Sequence, residues 1–197
     1  MNVTLDTNSI IDLEEERDAA PYVKTLISMH EDQRINLRVV AISASERKPG
    51  GKYAPNFAEF EKKIGAVGLG HVEVLAPIAY SDITYFDWCL AGSDQMVALE
   101  REVHRILFPE IGFTYDEFCS EYGLDSNSGE IDKRWRNPKC DVLALWSHIH
   151  HGGGIFVTTD NNMHKETKKT ALIALGAGDI LRPKHAVARL TKGGNTA

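Results

Sequence analysis

The chain has 197 residues, of which 43% are hydrophobic and 25% are charged, a composition typical of one globular domain. Its formal net charge of −6 disfavours binding of nucleic acid through bulk positive charge alone, although clustered metal-binding carboxylates would themselves lower the charge. We expect no membrane span and no signal peptide, because no long apolar run is present and the first residues are MNVTLDTN. The three cysteines form no CxxC pair, which disfavours a disulfide framework or a zinc site and favours a cytoplasmic location.

Strand patterns and helix patterns alternate along the chain. Short runs of β-branched and apolar residues predict five strands, at residues 3–5, 37–42, 71–75, 155–159 and 180–182. Helical patterns lie between them, at residues 9–30, 140–150 and 165–175, with Pro21 breaking or restarting the first. Ser43 and Glu46 form a helix-start signature after the second strand. This alternation predicts an α/β fold with a mostly parallel sheet.

Residues 81–137 differ from the rest because they contain no predicted strand. Two helical patterns lie near 93–107 and 114–122, and the polar residues 125–130 predict an exposed loop. We therefore predict one domain over residues 1–197, with a helical insertion at about 81–137.

Acidic residues follow three of the predicted strands. Asp6 and Asp160 come directly after the first and fourth strands, and Glu46 follows the second by one helical turn. Asp141 opens the predicted helix before the fourth strand, so it joins the others if that helix starts over the same edge. Ligands of parallel α/β sheets bind outside the carboxyl ends of the strands, where we expect these carboxylates to meet.

Clustered carboxylates are the ligands that Mg²⁺ and Mn²⁺ prefer, and a bound cation relieves their mutual repulsion. Such a cation lowers the pKa of a bound water and stabilises charge on a phosphoryl oxygen. Asn8, Thr158 and Asn162 are neighbours that would orient the carboxylates or waters.

Each acid taken alone also has a structural explanation. Asp6 could cap the helix that follows it, and Glu46 fits a capping box with Ser43. Asp141 in a first helical turn would favour the helix dipole, and Asp160 could be a turn residue. Four acids at one topological edge are harder to explain by capping alone, which favours a shared site.

These motifs resemble, in order, those of the PIN-domain family of metal-dependent nucleases. The resemblance rests on Leu5-Asp6-Thr7-Asn8 after the first strand, Glu46 after the second, Cys140-Asp141-Val142 before the fourth, and Thr158-Thr159-Asp160 after it. It covers residues 1–48 and 138–183. It implies a Rossmann-like α/β/α sandwich and a metal-dependent endoribonuclease whose Asp6, Glu46, Asp141 and Asp160 are catalytic and hold Mg²⁺ or Mn²⁺. The substrate would be RNA, with DNA not excluded, and a homodimer and an antitoxin-like protein partner stay open.

The chain departs from the family pattern at two places. Asn162 stands where family members often carry a further Asp, and Glu46 and Asp141 are 95 residues apart, farther than in compact toxin-type members. These departures motivate an alternative, a catalytically weak PIN-like module that binds RNA or protein. An aspartyl-phosphate phosphatase is disfavoured, because Asn8 stands where such an enzyme needs a second Asp.

Basic residues flank the acidic motifs in sequence. Arg47 and Lys48 follow the second strand, Arg136 and Lys139 precede Asp141, and Lys165 follows Asp160. We predict that these five side chains bind the phosphates of the nucleic acid, although solvated helix faces explain any one group equally well.

Overall fold

The computed structural model describes residues 1–42, 57–127, 129 and 131–193, and a five-stranded parallel sheet lies at its centre. The strands are β1 (Asn2–Leu5), β2 (Asn36–Val40), β3 (Glu73–Leu75), β4 (Ile155–Val157) and β5 (Asp179–Leu181). They lie in the order β3-β2-β1-β4-β5, and all four pairings are parallel. The predicted α/β class with a parallel sheet is confirmed.

Eight α-helices flank this sheet in the part of the chain that the structure describes. They are α1 (Thr7–Glu14), α2 (Ala20–Glu31), α3 (Phe57–Ala66), α4 (Asp94–Leu107), α5 (Tyr115–Tyr122), α6 (Lys133–His150), α7 (Glu166–Leu172) and α8 (Pro183–Gly193). A π-helical turn, Ile173–Ala177, continues α7. None of the described helices is long and apolar enough to cross a membrane. No disulfide joins the three cysteines, as expected.

The sheet is buried on both faces, which makes the fold a three-layer α/β/α sandwich. One apolar core joins α1, α2, α3 and α8 to Val3 and Leu5 of β1 and to the residues of β2 and β4 in register with them. The other core joins α4, α5, α6 and α7 to the alternate face, which includes Phe156 of β4 and Ile180 of β5. Burial on both sides explains why the strands have continuous apolar runs.

A buried polar network fixes α6 on its face of the sheet. The Arg38 guanidinium donates to the Thr4 hydroxyl (Nη2–Oγ1, 3.2 Å) and to the Gly153 carbonyl just after α6 (Nη2–O, 2.7 Å). His148 Nε2 donates to the Ala177 carbonyl at 2.8 Å, so its Nδ1 accepts from the Thr4 hydroxyl, also at 2.8 Å. Burial lowers the pKa of His148 to about 4, which keeps the ring neutral at pH 7. The rotation of α6 relative to β1 is thereby set.

Two prolines act differently from each other. Pro21 restarts a helix, since residues 9–30 form α1 and α2 with Pro21 in the first turn of α2. Pro138, by contrast, lies inside α6, which begins at Lys133 rather than near residue 140. Asp132 caps the start of α6, and Trp135 is buried there with its Nε1 donating to the Gly112 carbonyl at 2.9 Å. This packing overrides the tendency of proline to end a helix.

The predicted insertion contains α4, α5 and the start of α6. The described part of residues 81–137 contains no strand, as predicted, although an isolated bridge joins Ile78 to Leu90. Its predicted end at residue 137 falls inside α6, so α6 belongs both to the insertion and to the layer on the sheet.

Candidate metal site at the carboxyl edge of the sheet

The order of the strands creates a topological switch point at the carboxyl edge of the sheet, the position at which α/β proteins have a ligand-binding crevice. From β1 the chain continues to β2 and β3 on one side, whereas β4 and β5 lie on the other side. The carboxyl ends of β1 and β4 therefore lie at the topological switch point, where α/β proteins bind their ligands. Asp6 directly follows β1, and Asp160 follows β4 by three residues. The sheet thus places two predicted site residues beside the same switch point.

Asp6 is both the N-cap of α1 and a residue at the switch point of the sheet. Its side chain is 1% exposed. Oδ1 accepts from the Thr7 backbone N–H at 2.8 Å, which caps the helix. Oδ2 accepts from Asn8 Nδ2 at 3.2 Å and from the Thr158 hydroxyl at 2.6 Å. The structural explanation of Asp6 is therefore correct, and it coexists with a position at the candidate site.

The charge of Asp6 has no compensating cation among the described residues. The pKa of Asp6 is raised to about 6, mainly by burial and in part by the nearby charge of Asp160. Hydrogen bonds from Thr158, Thr7 and Asn8 oppose this rise without overcoming it. No salt bridge within the described residues involves Asp6 or Asp160. The pair is thus suited to take up a proton or a metal cation.

Thr158 connects the Asp6 carboxylate to the backbone of Asp160. Its hydroxyl donates to Asp6 Oδ2 and accepts from the Asp160 backbone N–H at 3.0 Å. Asp160 Oδ1 in turn accepts from the Asn162 backbone N–H at 2.9 Å, which closes the turn after β4. Asn8, Thr158 and Asn162, which the sequence nominated as supporting residues, all lie beside the carboxylates.

Asp141 lies in the middle of α6, so the expectation that it opens a helix is wrong. The helix begins eight residues earlier, at Lys133, because of the capping and packing around Trp135. Asp141 precedes His148 by two turns, which places it on the same helix face about 10 Å closer to the carboxyl edge. Because His148 contacts Thr4 of β1, Asp141 lies at roughly the height of Asp6, which is ~7 Å along the strand from Thr4.

The four acids do not form a complete ligand cluster in the described part of the chain. Within it, no group of three His, Cys, Asp or Glu side chains is placed to hold a metal ion. Glu46 lies outside the described residues, so its predicted position at this edge stays a prediction. The structure brings Asp6 and Asp160 together, and helix phase places Asp141 on the face of α6 that carries His148.

Two of the five predicted phosphate-binding residues are buried. Lys139 is 0% exposed, and its Nζ contacts Glu100 Oε1 at 2.5 Å and the Phe113 carbonyl at 3.1 Å. The prediction that Lys139 binds nucleic acid is therefore wrong, because its ammonium is buried and paired with Glu100 at the contact between α4 and α6. Arg136 is 8% exposed and donates to the Asp82 carbonyl at 2.5 Å, so its guanidinium also faces inward.

The other three predicted phosphate-binding residues are not contradicted. Lys165 is exposed at the N-cap of α7, a few residues after Asp160. Arg47 and Lys48 lie outside the described residues. Binding of phosphate by these side chains stays a prediction.

Arg182 is a cation at this edge that the sequence analysis overlooked. It follows β5 directly and donates to the Thr159 carbonyl (Nη1, 3.1 Å) and to Asn161 Oδ1 (Nη2, 2.6 Å). It therefore holds the turn that carries Asp160. The sequence pattern places residue 182 inside the fifth predicted strand, whereas β5 ends at Leu181, so the rule that identified Asp6 and Asp160 does not single it out.

The oxygen atoms that could bind a metal at this site suit a hard cation. The available ligand atoms are carboxylate oxygens. Asp6 Oδ1 and Asp160 Oδ1 each accept one hydrogen bond, so each keeps a second lone pair for a metal. Oxygen ligands suit Mg²⁺ and Mn²⁺, whereas Zn²⁺ sites are usually built from cysteine and histidine. Asp6 and Asp160 would contribute two ligands, and Asp141 and Glu46 are the candidates for further ones.

Comparison of the chain with protein-family models and with curated proteins returns no match. The case for any family therefore rests on the residues and their arrangement.

Proposed function

We propose that this protein is a metal-dependent nuclease, and specifically an endoribonuclease, that uses Mg²⁺ or Mn²⁺ at the Asp6–Asp160 pair. The observation that carries the proposal is a fully buried carboxylate whose pKa is raised to about 6 beside a second carboxylate at the switch point of the sheet. Ionising a buried acid without a cationic partner is costly, and acids of this kind cluster at functional sites. The ordered resemblance to PIN-domain motifs supplies the choice of reaction and of RNA as substrate.

The chain's own residues would hold and orient the reacting groups. Asp6 is fixed by three hydrogen bonds, and Thr158 sets its position relative to Asp160. A bound Mg²⁺ or Mn²⁺ would lower the pKa of a water and stabilise charge on the phosphoryl oxygen. Lys165, exposed beside the turn, and Arg47 and Lys48 would bind phosphates of the substrate. We place this activity in the cytoplasm, in keeping with three cysteines that form no disulfide.

The direct test is cleavage of end-labelled single-stranded RNA by the purified full chain. We expect cutting in Mn²⁺ or Mg²⁺, none in EDTA, and a fall to background in Asp6→Asn and Asp160→Asn, because each variant removes a ligand charge. A single-stranded DNA of the same sequence decides between the two nucleic acids.

Asp12→Asn is the matched control for Asp6→Asn. Asp12 is also a buried carboxylate of α1, but it lies toward the other end of the helix, near Arg17. We expect this variant to cut like the wild type. Cutting that persists in EDTA, or that survives Asp6→Asn undiminished, would show that the site has been assigned wrongly.

A binding module without turnover is the second candidate function. It is favoured by the lack of a three-ligand group within the described residues and by the Asn162 side chain, which is engaged in hydrogen bonds. This function predicts that labelled RNA binds equally well to the wild type and to Asp6→Asn, with no product in any metal. Fluorescence anisotropy on the same proteins separates the two functions.

A further inference from the structure

The last residue of α4 contacts the turn that carries Asp160. The Leu107 carbonyl has no partner within α4, because the final carbonyls of a helix have no following turn. It accepts from Asn162 Nδ2 at 3.1 Å and from Lys168 Nζ at 2.5 Å. Leu107 belongs to the predicted insertion, whereas Asn162 and Lys168 follow β4. These two contacts therefore join the insertion to the candidate site.

From this contact an unbroken series of hydrogen bonds leads to the buried carboxylate. Lys168 Nζ also donates to Asn162 Oδ1 at 2.8 Å, and the Asn162 backbone N–H donates to Asp160 Oδ1 at 2.9 Å. The Asp160 backbone N–H and Asp6 Oδ2 share the Thr158 hydroxyl. A displacement of α4 would therefore be transmitted to the position of Asp160.

The side-chain types at these positions suit the contact. An amide is needed at residue 162, because Nδ2 donates to Leu107 while Oδ1 accepts from Lys168, and a carboxylate could make only the second contact. This explains why Asn stands where the resembled family often has Asp. A lysine suits the carboxyl end of α4, where the helix dipole and the last carbonyls attract a cation.

We propose that Asn162 and Lys168 are positioning residues that make the end of α4 a structural part of the metal site. The inference rests on the proposed function and deepens it, because it gives the insertion a role in setting the affinity of the carboxylates for metal. The two residues act through the Asp160 turn and need not touch metal or substrate.

Calorimetric titration of the full chain with Mn²⁺ tests the proposal. Asn162→Ala removes both side-chain contacts without changing the charge, and we expect Mn²⁺ affinity to fall by roughly 10- to 100-fold, as when an outer partner of a metal ligand is lost. Asn36→Ala is the matched control, since Asn36 is an exposed, hydrogen-bonded asparagine at the start of β2, on the far edge of the sheet. Its affinity should equal that of the wild type.

Lys168→Gln gives a second test, in which the direction of the change in Mn²⁺ affinity decides the outcome. Lys168 lies close enough to Asp160 for their charges to interact, so electrostatics alone predicts tighter Mn²⁺ binding when the lysine charge is removed. Loss of positioning predicts weaker binding instead. The proposal requires weaker binding in this variant, with thermal unfolding checked to show that the protein is folded.

The outcomes separate this inference from the proposed function. If the wild type takes up no Mn²⁺, the proposed function fails and the inference fails with it. If the wild type binds Mn²⁺ and either variant binds it as tightly or more tightly, only the positioning role is overturned. Weaker binding in both variants, with Asn36→Ala unchanged, supports the role.

Discussion

Asp6 has two roles that act in opposite directions on stability. As the N-cap of α1 it satisfies the Thr7 backbone N–H, a contact that typically stabilises a protein by ~1 kcal/mol. As a buried carboxylate next to Asp160 it is costly to ionise, which is why its pKa is raised to about 6. An amide would keep part of the capping contact and remove the ionisation cost. The two roles are therefore separable by substitution.

The raised pKa predicts a pH-dependent difference between the wild type and Asp6→Asn. In the folded wild type, Asp6 retains its proton up to about pH 6, whereas an unperturbed aspartate with a pKa of 3.8 loses it earlier. The stability that Asp6 contributes through this difference in pKa is therefore complete below about pH 4 and is lost as the pH rises through 6. Relative to the wild type, the free energy of unfolding of Asp6→Asn should rise by up to ~3 kcal/mol between pH 4 and 7. Urea denaturation in EDTA measures this difference.

The comparison of variants is needed because His148 titrates in the opposite sense. Its pKa is lowered to about 4, so the stability it contributes is present above about pH 6.5 and is lost as pH falls through 4. Subtracting the wild-type curve from the Asp6→Asn curve cancels this contribution, since both proteins contain His148. A difference that stays constant from pH 4 to 7 would contradict the buried, uncompensated state of Asp6.

At the scale of elements, the contact between α4 and α6 depends on a buried ion pair. Lys139 contacts Glu100, and the rings of Phe113 and Tyr80 lie 4.2 and 4.3 Å from its ammonium. Burial lowers the pKa of Lys139, and the Glu100 carboxylate opposes this effect. Removing one partner of such a pair leaves an uncompensated buried charge, whereas replacing both by apolar residues is often neutral.

We therefore expect Lys139→Met to lower the free energy of unfolding by roughly 3–5 kcal/mol, and the double variant Lys139→Met/Glu100→Leu to restore most of it. Urea denaturation of both proteins, followed by circular dichroism, makes the measurement. Equal losses in the single and the double variant would contradict a cost from leaving the Glu100 charge buried and uncompensated.

Sequence reasoning succeeds at the strand ends and fails along α6. Asp6 and Asp160 were found because strand ends are marked by local patterns, and parallel strands bring those ends together. Lys139 was misread because a lysine paired with Glu100, 39 positions away in sequence, has the same local pattern as one facing solvent. The predicted start of α6, near residue 140, is too late because the burial of Trp135, which extends α6, depends on packing against Gly112 in the insertion.

At the scale of the whole molecule, the order of the strands brings the candidate site together. The alternation of strands and helices was sufficient to predict the parallel α/β class. It was not sufficient to predict the order β3-β2-β1-β4-β5, which places the ends of β1 and β4 at the switch point. The link from α4 to the Asp160 turn also could not be predicted from local patterns. It joins the Leu107 carbonyl to Asn162 and Lys168, which are 55 and 61 positions away in sequence.

A Mn²⁺ titration of the wild type, Asp6→Asn, Asp160→Asn and Asp12→Asn tests the central claim that this site binds metal. The account predicts saturable binding to the wild type and to Asp12→Asn, and affinity at least roughly tenfold weaker in each of the other two variants, because each loses a ligand charge. Binding to Asp6→Asn and Asp160→Asn that equals the wild type, or no binding to any of the four proteins, would contradict it.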